Sequence, residues 1–316
     1  MHFIQLIRPI NLFIIGFTMY GLGWYLEGVS NYNEGAGLMS IEFALLVFST
    51  MMIAAAGNII NDYFDVKADR VNKPERLIIG KFVKRRVAIA THWIINIFAF
   101  VIALYLSWKL DTFWYLFIHL FSINLLWYYS VYLKRKFLIG NILIALLTAL
   151  VPIIVGFYFY DVQNTSAYNL NQHSAPFPIE TSNFILLLSF GFAGSAFLLN
   201  LARDIIKDME DVKGDKKINA KTLPIVLGFT KSKVICAFIL CSAIVGSSIL
   251  FLFFTATDLK VLFPILVSAL VVVSSLLLLP KAKSQSQLKV INNLIKLAMA
   301  AGLISPIYWK LLLIYG

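Results

Sequence analysis

A chain of 316 residues that is 60% apolar and only 14% charged, with mean hydropathy +0.82, lies outside the range of soluble globular domains. The net charge of +11 could match nucleic acid, but the basic residues flank apolar runs, a distribution that favours lipid headgroups and phosphate and argues against a nucleic-acid partner. Cys236 and Cys241 share one apolar run, and His2, His92, His119 and His173 are scattered, so neither a disulfide framework nor a zinc site is expected.

Crossing ~30 Å of hydrocarbon takes ~20 mostly apolar residues. Runs at 10–26, 38–60, 87–108, 112–132, 138–160, 182–202, 233–255, 260–280 and 291–314 meet that need. They predict an all-α polytopic membrane protein: one domain over 1–316, nine transmembrane helices in a bundle, with helical caps on the cytoplasmic side. The first run follows Arg8-Pro9 and has no small-residue cleavage site near Glu27, so it is read as a retained span.

Orientation follows from lysine and arginine. Arg8, the segment from Lys67 to Arg86, the Lys134-Arg135-Lys136 cluster, the segment from Arg203 to Lys233, and Lys281, Lys283 and Lys289 all fall on one side and hold most of the 27 basic residues. The connections at 27–37 and 161–181 have none. The N-terminus is therefore expected in the cytoplasm and the C-terminus outside, in an inner cell membrane. The large basic connections follow spans two and six and each carries Pro and Gly (Pro74 and Gly80; Pro224 and Gly228). Their spacing predicts two four-helix repeats with a ninth helix appended.

Those two connections also carry the chemistry. After span two comes a stretch with Asn58, Asn61, Asp62, Asp65 and Asp69. If the helix continues at ~100° per residue, Asn61, Asp65 and Asp69 form one stripe with Asp62 at its flank. After span six, Asp204, Asp208, Asp211 and Asp215 repeat the pattern at helical spacing. The aspartates of these stretches make up seven of the sixteen acidic residues. Like charges at that spacing repel, and beside a membrane the cost rises. A divalent cation would relieve the repulsion, and oxygen-only ligands favour Mg²⁺ or Ca²⁺. Interleaved Arg70, Arg76, Lys134, Arg135, Arg203 and Lys221 suit a diphosphate whose oxygens bridge metal and cations. The aromatic-rich bundle beneath could hold a greasy tail and stabilise an allylic cation.

These residues resemble the UbiA superfamily of intramembrane prenyltransferases. Asn61-Asp62-Tyr63-Phe64-Asp65 followed by Asp69 is similar to its N-D-x-x-D-x-x-x-D signature, and Asp211 with Asp215 to its second D-x-x-x-D. The flanks agree at Asp69-Arg70-Val71-Asn72-Lys73-Pro74-Glu75-Arg76, Tyr129-Ser130-Val131-Tyr132-Leu133-Lys134-Arg135, Gly140-Asn141 and Lys221-Thr222-Leu223-Pro224. The pattern from Arg203 to Asp215 is most similar to the digeranylgeranylglyceryl phosphate synthase branch. After Arg76 the chain departs from it, reading Leu77-Ile78-Ile79-Gly80 where relatives often have R-P-I-P-S-G.

The resemblance implies Mg²⁺-dependent transfer of a polyprenyl group, geranylgeranyl by preference, from its diphosphate to a membrane acceptor. Geranylgeranylglyceryl phosphate is the first expectation and an aromatic acceptor of quinone or chlorophyll type the alternative. By the same resemblance Asn61, Asp62, Asp65, Asp69, Asp208, Asp211 and Asp215 would face the metal, with Asp204 beside them. Arg70, Arg76, Lys134, Arg135 and Lys221 would neutralise the diphosphate. A cation transporter is the competing class, but its ionisable residues would be spread through the membrane depth rather than gathered at one face.

Overall fold

The computed structural model describes residues 2–30, 37–72, 77–134, 136–164, 181–217, 219–254 and 259–315. Among these, regular structure is helical throughout, apart from one bridge between Ile79 and Val83 that closes a tight turn at Gly80. The elements are α1 (His2–Ile7), α2 (Pro9–Ser30), α3 (Ile41–Asn72), α4 (Arg85–Lys109), α5 (Trp114–Tyr128), α6 (Ile139–Asn164), α7 (Thr181–Lys217), α8 (Leu223–Phe254), α9 (Leu259–Leu278) and α10 (Gln285–Tyr315). Each apolar run of the sequence falls in one of α2 to α10. Eight of these helices are long and apolar enough to cross a membrane; in α9 the apolar stretch is shorter, Phe263–Leu278.

Every helix from α2 to α10 packs on its successor, and α10 returns to α2, so they close a ring in chain order. Contacts of α2 with α6 and of α10 with α7 draw the ring together across its middle. Apolar side chains fill the seams. One cluster, with Met19, Phe43, Tyr158, Phe159 and Trp309, joins α2, α3, α6 and α10. A second, with Ile205, Ile206, Met209, Leu240 and Ile295, joins α7, α8 and α10. Outward-facing Phe, Leu and Ile remain on the surface, as at Phe13, Phe98, Phe238 and Leu270, which a lipid solvent accepts at no cost.

Several helices outrun the bilayer, α3 and α7 among them. The 32 residues of α3 and the 37 of α7 span about 48 and about 55 Å at 1.5 Å per residue, against ~30 Å of hydrocarbon. Both overhangs are the acidic stretches, so the helical caps take the form of continuations of the spans. A small cluster of Leu6, Ile59, Val66, Ile79 and Ala88 fixes the α3 overhang to α1 and to the start of α4. α8 starts at Leu223, ten residues before the expected run, since Pro224 is tolerated in a first helical turn. Gly228, at φ 81°, then breaks its path.

Candidate active site

On α3 the apolar run ends in the buried pair Ile59 and Ile60, and Asn61 and Asp65 follow one turn apart. Both are half-buried, and both turn to one cation. The Lys134 ammonium donates to Asn61 Oδ1 at 2.9 Å and to Asp65 Oδ2. What brings Lys134 there is a π-helical segment, Tyr129–Leu133, in which the Lys134 N–H donates to the carbonyl of Tyr129 at 2.9 Å. One extra residue in the turn re-aims the side chain that follows, a device concentrated at functional sites. Gly140 lets α6 approach this turn: a Cβ there would lie 3.1 Å from the Leu133 carbonyl and 3.3 Å from Lys134 Cα.

Asp62, at the flank of that stripe, accepts from Arg8 Nη2 at 2.6 Å. Arg8 sits between α1 and α2 at φ 54°, a left-handed conformation unusual for a side-chain-bearing residue. Asn58 ties the same junction by donating to the carbonyl of Ile7 at 3.0 Å.

On α7, Asp204, Asp208, Asp211 and Asp215 are all half-buried. Asn141, next to Gly140, donates to Asp208 Oδ2 at 2.8 Å. Arg203 lies 3.7 Å from Asp204. Beyond the bilayer, burial and then the Asp211 carboxylate push the Asp215 carboxyl above its ordinary range. The two acidic faces converge. Tyr129 lies within electrostatic reach of Asp65, Asp204 and Asp208 together, and Lys134 within reach of Asp215 as well as Asp65.

Not every expected residue joins this centre. Arg70 and Lys221 are exposed and form no ion pair among the described residues. The side chain of Asp69, together with Arg76 and Arg135, lies outside the described residues. Arg8 was legible only as an orientation signal, because nothing local pairs it with a carboxylate 54 residues away. Asn141 carried a signal, in the Gly140-Asn141 flank, but no role.

Among the described residues no three His, Cys, Asp or Glu side chains gather closely enough to share one ion; the carboxylates pair with Lys134, Arg8, Asn141 and Arg203 instead. The donor set is nonetheless all oxygen, and Asn61 and Asp65 already share a single positive charge. That chemistry fits a hard divalent cation.

One cavity adjoins the centre and a second lies among the apolar helices. The first, about 360 Å³, is lined by Tyr63, Phe64, Asp65, Arg85, Ser130, Tyr132 and Lys134, with the Arg85 guanidinium 4.5 Å over the Tyr63 ring. The other, about 190 Å³, lies among α2, α6, α7, α8, α9 and α10. Leu22, Val151, Phe192, Leu199, Met299 and Trp309 make it mainly apolar, and Thr148 is among its few hydroxyls. Pro152 and Gly302 keep its walls spare of side chain. A charged centre and an apolar cavity along the same helix, α7, can hold an anionic headgroup with an apolar tail.

Comparison with known proteins gives the family. The model of the UbiA prenyltransferase family matches residues 15–299. The digeranylgeranylglyceryl phosphate synthase of Thermococcus gammatolerans is 32% identical over 250 residues, 78% of this chain and 76% of that protein. That of Methanothermobacter thermautotrophicus is 29% identical over 307 residues, 96% of this chain and 94% of that one. A solved structure concerning digeranylgeranylglyceryl phosphate synthase in membranes superposes with TM-score 0.70 at 24% identity, covering 97% of this chain and 96% of that one. A UbiA homolog from Archaeoglobus fulgidus, bound to GPP and Mg²⁺, gives TM-score 0.60 at 16% identity over 96% of this chain and 99% of that one, which speaks for the fold. The chain belongs to the UbiA prenyltransferase family and is a membrane enzyme that transfers prenyl groups.

Proposed function

We propose that the chain transfers a geranylgeranyl group from its diphosphate to the free hydroxyl of geranylgeranylglyceryl phosphate in the membrane, with Mg²⁺. The observation that carries this reading is the single cationic centre at Lys134, bonded to Asn61 and Asp65 on one helix and within reach of Asp215 on another. Oxygens that share one ammonium can equally face a metal–diphosphate unit. The named activity of relatives near 30% identity supports the acceptor, and a fold neighbour described with GPP and Mg²⁺ supports the donor class and the ion.

In this reading Asn61, Asp62, Asp65 and Asp69 face the diphosphate from α3, and Asp204, Asp208, Asp211 and Asp215 from α7. A bound Mg²⁺ supplies charge neutralisation for the leaving diphosphate. Lys134 holds a diphosphate oxygen, while Arg70, Arg76, Arg135 and Lys221 set a cationic rim that draws the donor from the basic side. That side is the cytoplasm if lysine and arginine orient the chain as they usually do. Asn141 keeps the Asp208 carboxylate turned inward. The central cavity takes the apolar chain and excludes water, so the allylic carbon meets the acceptor hydroxyl instead. The bond from that carbon to the diphosphate oxygen breaks, a new carbon–oxygen bond forms, and the hydroxyl proton leaves with the diphosphate.

Membranes carrying the chain, given labelled geranylgeranyl diphosphate, Mg²⁺ and geranylgeranylglyceryl phosphate, should yield a lipid whose mass is the acceptor plus one geranylgeranyl group. Product from a quinone-type acceptor alone would reject this acceptor and leave the family assignment standing.

A further inference from the structure

Arg203 is the residue this centre leaves unexplained. On α7 it lies within about 40° of Phe192, Ala196 and Leu199 around the helix axis, at 100° per residue. All three line the central cavity, so Arg203 is the next residue up the cavity wall, where α7 passes from apolar to acidic. Its Nη1 donates to Asn200 Oδ1 at 2.7 Å. Asn200, 3% exposed, donates in turn to Thr148 Oγ1 at 3.3 Å, and Thr148 lines the cavity. The guanidinium is thus held by a short polar ladder that starts in the cavity wall. Its carboxylate neighbour Asp204 is 3.7 Å away from the same Nη1, and its Nε is buried with no acceptor among the described residues.

A buried guanidinium N–H without an acceptor is costly, and the Nε edge of arginine is one that matches a phosphate by a two-point bond. The donor's diphosphate already has Lys134 and the acidic faces, whereas Arg203 continues the stripe of α7 whose lower residues line the cavity. A neutral aromatic acceptor would leave the N–H unanswered. We infer that Arg203 binds the phosphate of a lipid acceptor at the head of the central cavity, and so selects phosphorylated over neutral acceptors. This rests on the phosphoglyceryl acceptor proposed above and adds the residue that recognises it.

The test uses the full chain in nanodiscs, with geranylgeranyl diphosphate as donor and two acceptors, geranylgeranylglyceryl phosphate and the same lipid without its phosphate. Arg203→Gln should raise KM for the phosphorylated acceptor by about 10- to 100-fold, the usual cost of a charged two-point contact. It should leave donor KM within about twofold and narrow the preference for the phosphorylated over the neutral lipid. Arg203→Lys should recover part of the loss. An equal rise in donor KM would assign Arg203 to the diphosphate, and no change in either KM would make it a structural link; both overturn the inference while the proposed reaction stands. Failure of the unmutated chain to use the phosphorylated lipid would instead overturn the reaction itself. Should Arg203→Gln fail to fold, the comparison passes to Arg203→Lys and to thermal stabilisation of the unmutated chain by each acceptor without donor. Equal stabilisation by the two lipids would again overturn it.

Discussion

Asp65 and Lys134 share charge across two helices, and their variants should separate. Asp65→Ala removes an oxygen from the proposed metal–diphosphate face and should cut turnover by about 100-fold or more, the scale of losing one charge-stabilising group in an active site. Labelled-product assays under saturating Mg²⁺ measure this, and an unchanged thermal melt would show that the fold survives. Lys134→Ala should act on binding instead. Loss of one charged hydrogen bond should raise donor KM by about tenfold, with a smaller effect on acceptor KM. If donor KM stays constant, Lys134 serves only to neutralise Asp65 and to hold Asn61. Asp62, turned toward Arg8 rather than Lys134, should tolerate Asn better than Asp65 does, as the same assay can check.

At the scale of elements, the junction between α5 and α6 controls where Lys134 points. Gly140→Ala would press a methyl against backbone at 3.1 Å, and backbone cannot swing aside as a side chain can. Overpacking of this kind typically costs about 1–3 kcal/mol. The variant should melt earlier and show the raised donor KM of Lys134→Ala even though it changes no charge. A lower melting temperature with normal donor KM would separate the π segment from donor binding. This junction was the least legible part of the sequence. Hydrophobic runs announced the spans, and acidic residues three and four apart announced the faces of α3 and α7. A π turn has no such signature, since it depends on how Leu133 and Gly140 meet in space. Pro224, read as part of a connection, opens α8, because periodicity marks a helix interior better than its first turn. Arg8 shows the same limit: its pairing with Asp62 is long-range and reads locally as a topogenic charge.

For the whole molecule, the ring closed by α10 against α2 encloses a mainly apolar cavity, and the acidic stretches of α3 and α7 lie beyond their apolar runs. The space beside Gly302 is open, with nothing within 4 Å of where its Cβ would be, and this residue lines the central cavity. Gly302→Leu should therefore fold with little strain and fill part of the tail space. With geranylgeranyl and geranyl diphosphates offered together, its product ratio should shift toward the shorter group; an unchanged ratio would place the tail elsewhere.

The central claim is that α3 and α7 act on one diphosphate, and binding without turnover tests it most directly. A non-reactive thio-diphosphate analogue of the donor, titrated with Mn²⁺ and followed by the paramagnetic signal of bound ion, can be compared in the unmutated chain, Asp65→Ala and Asp211→Ala. Each single substitution should weaken analogue-dependent Mn²⁺ binding by about tenfold or more. Undiminished binding in either folded variant would mean that the two acidic helices do not share a ligand, and would contradict it.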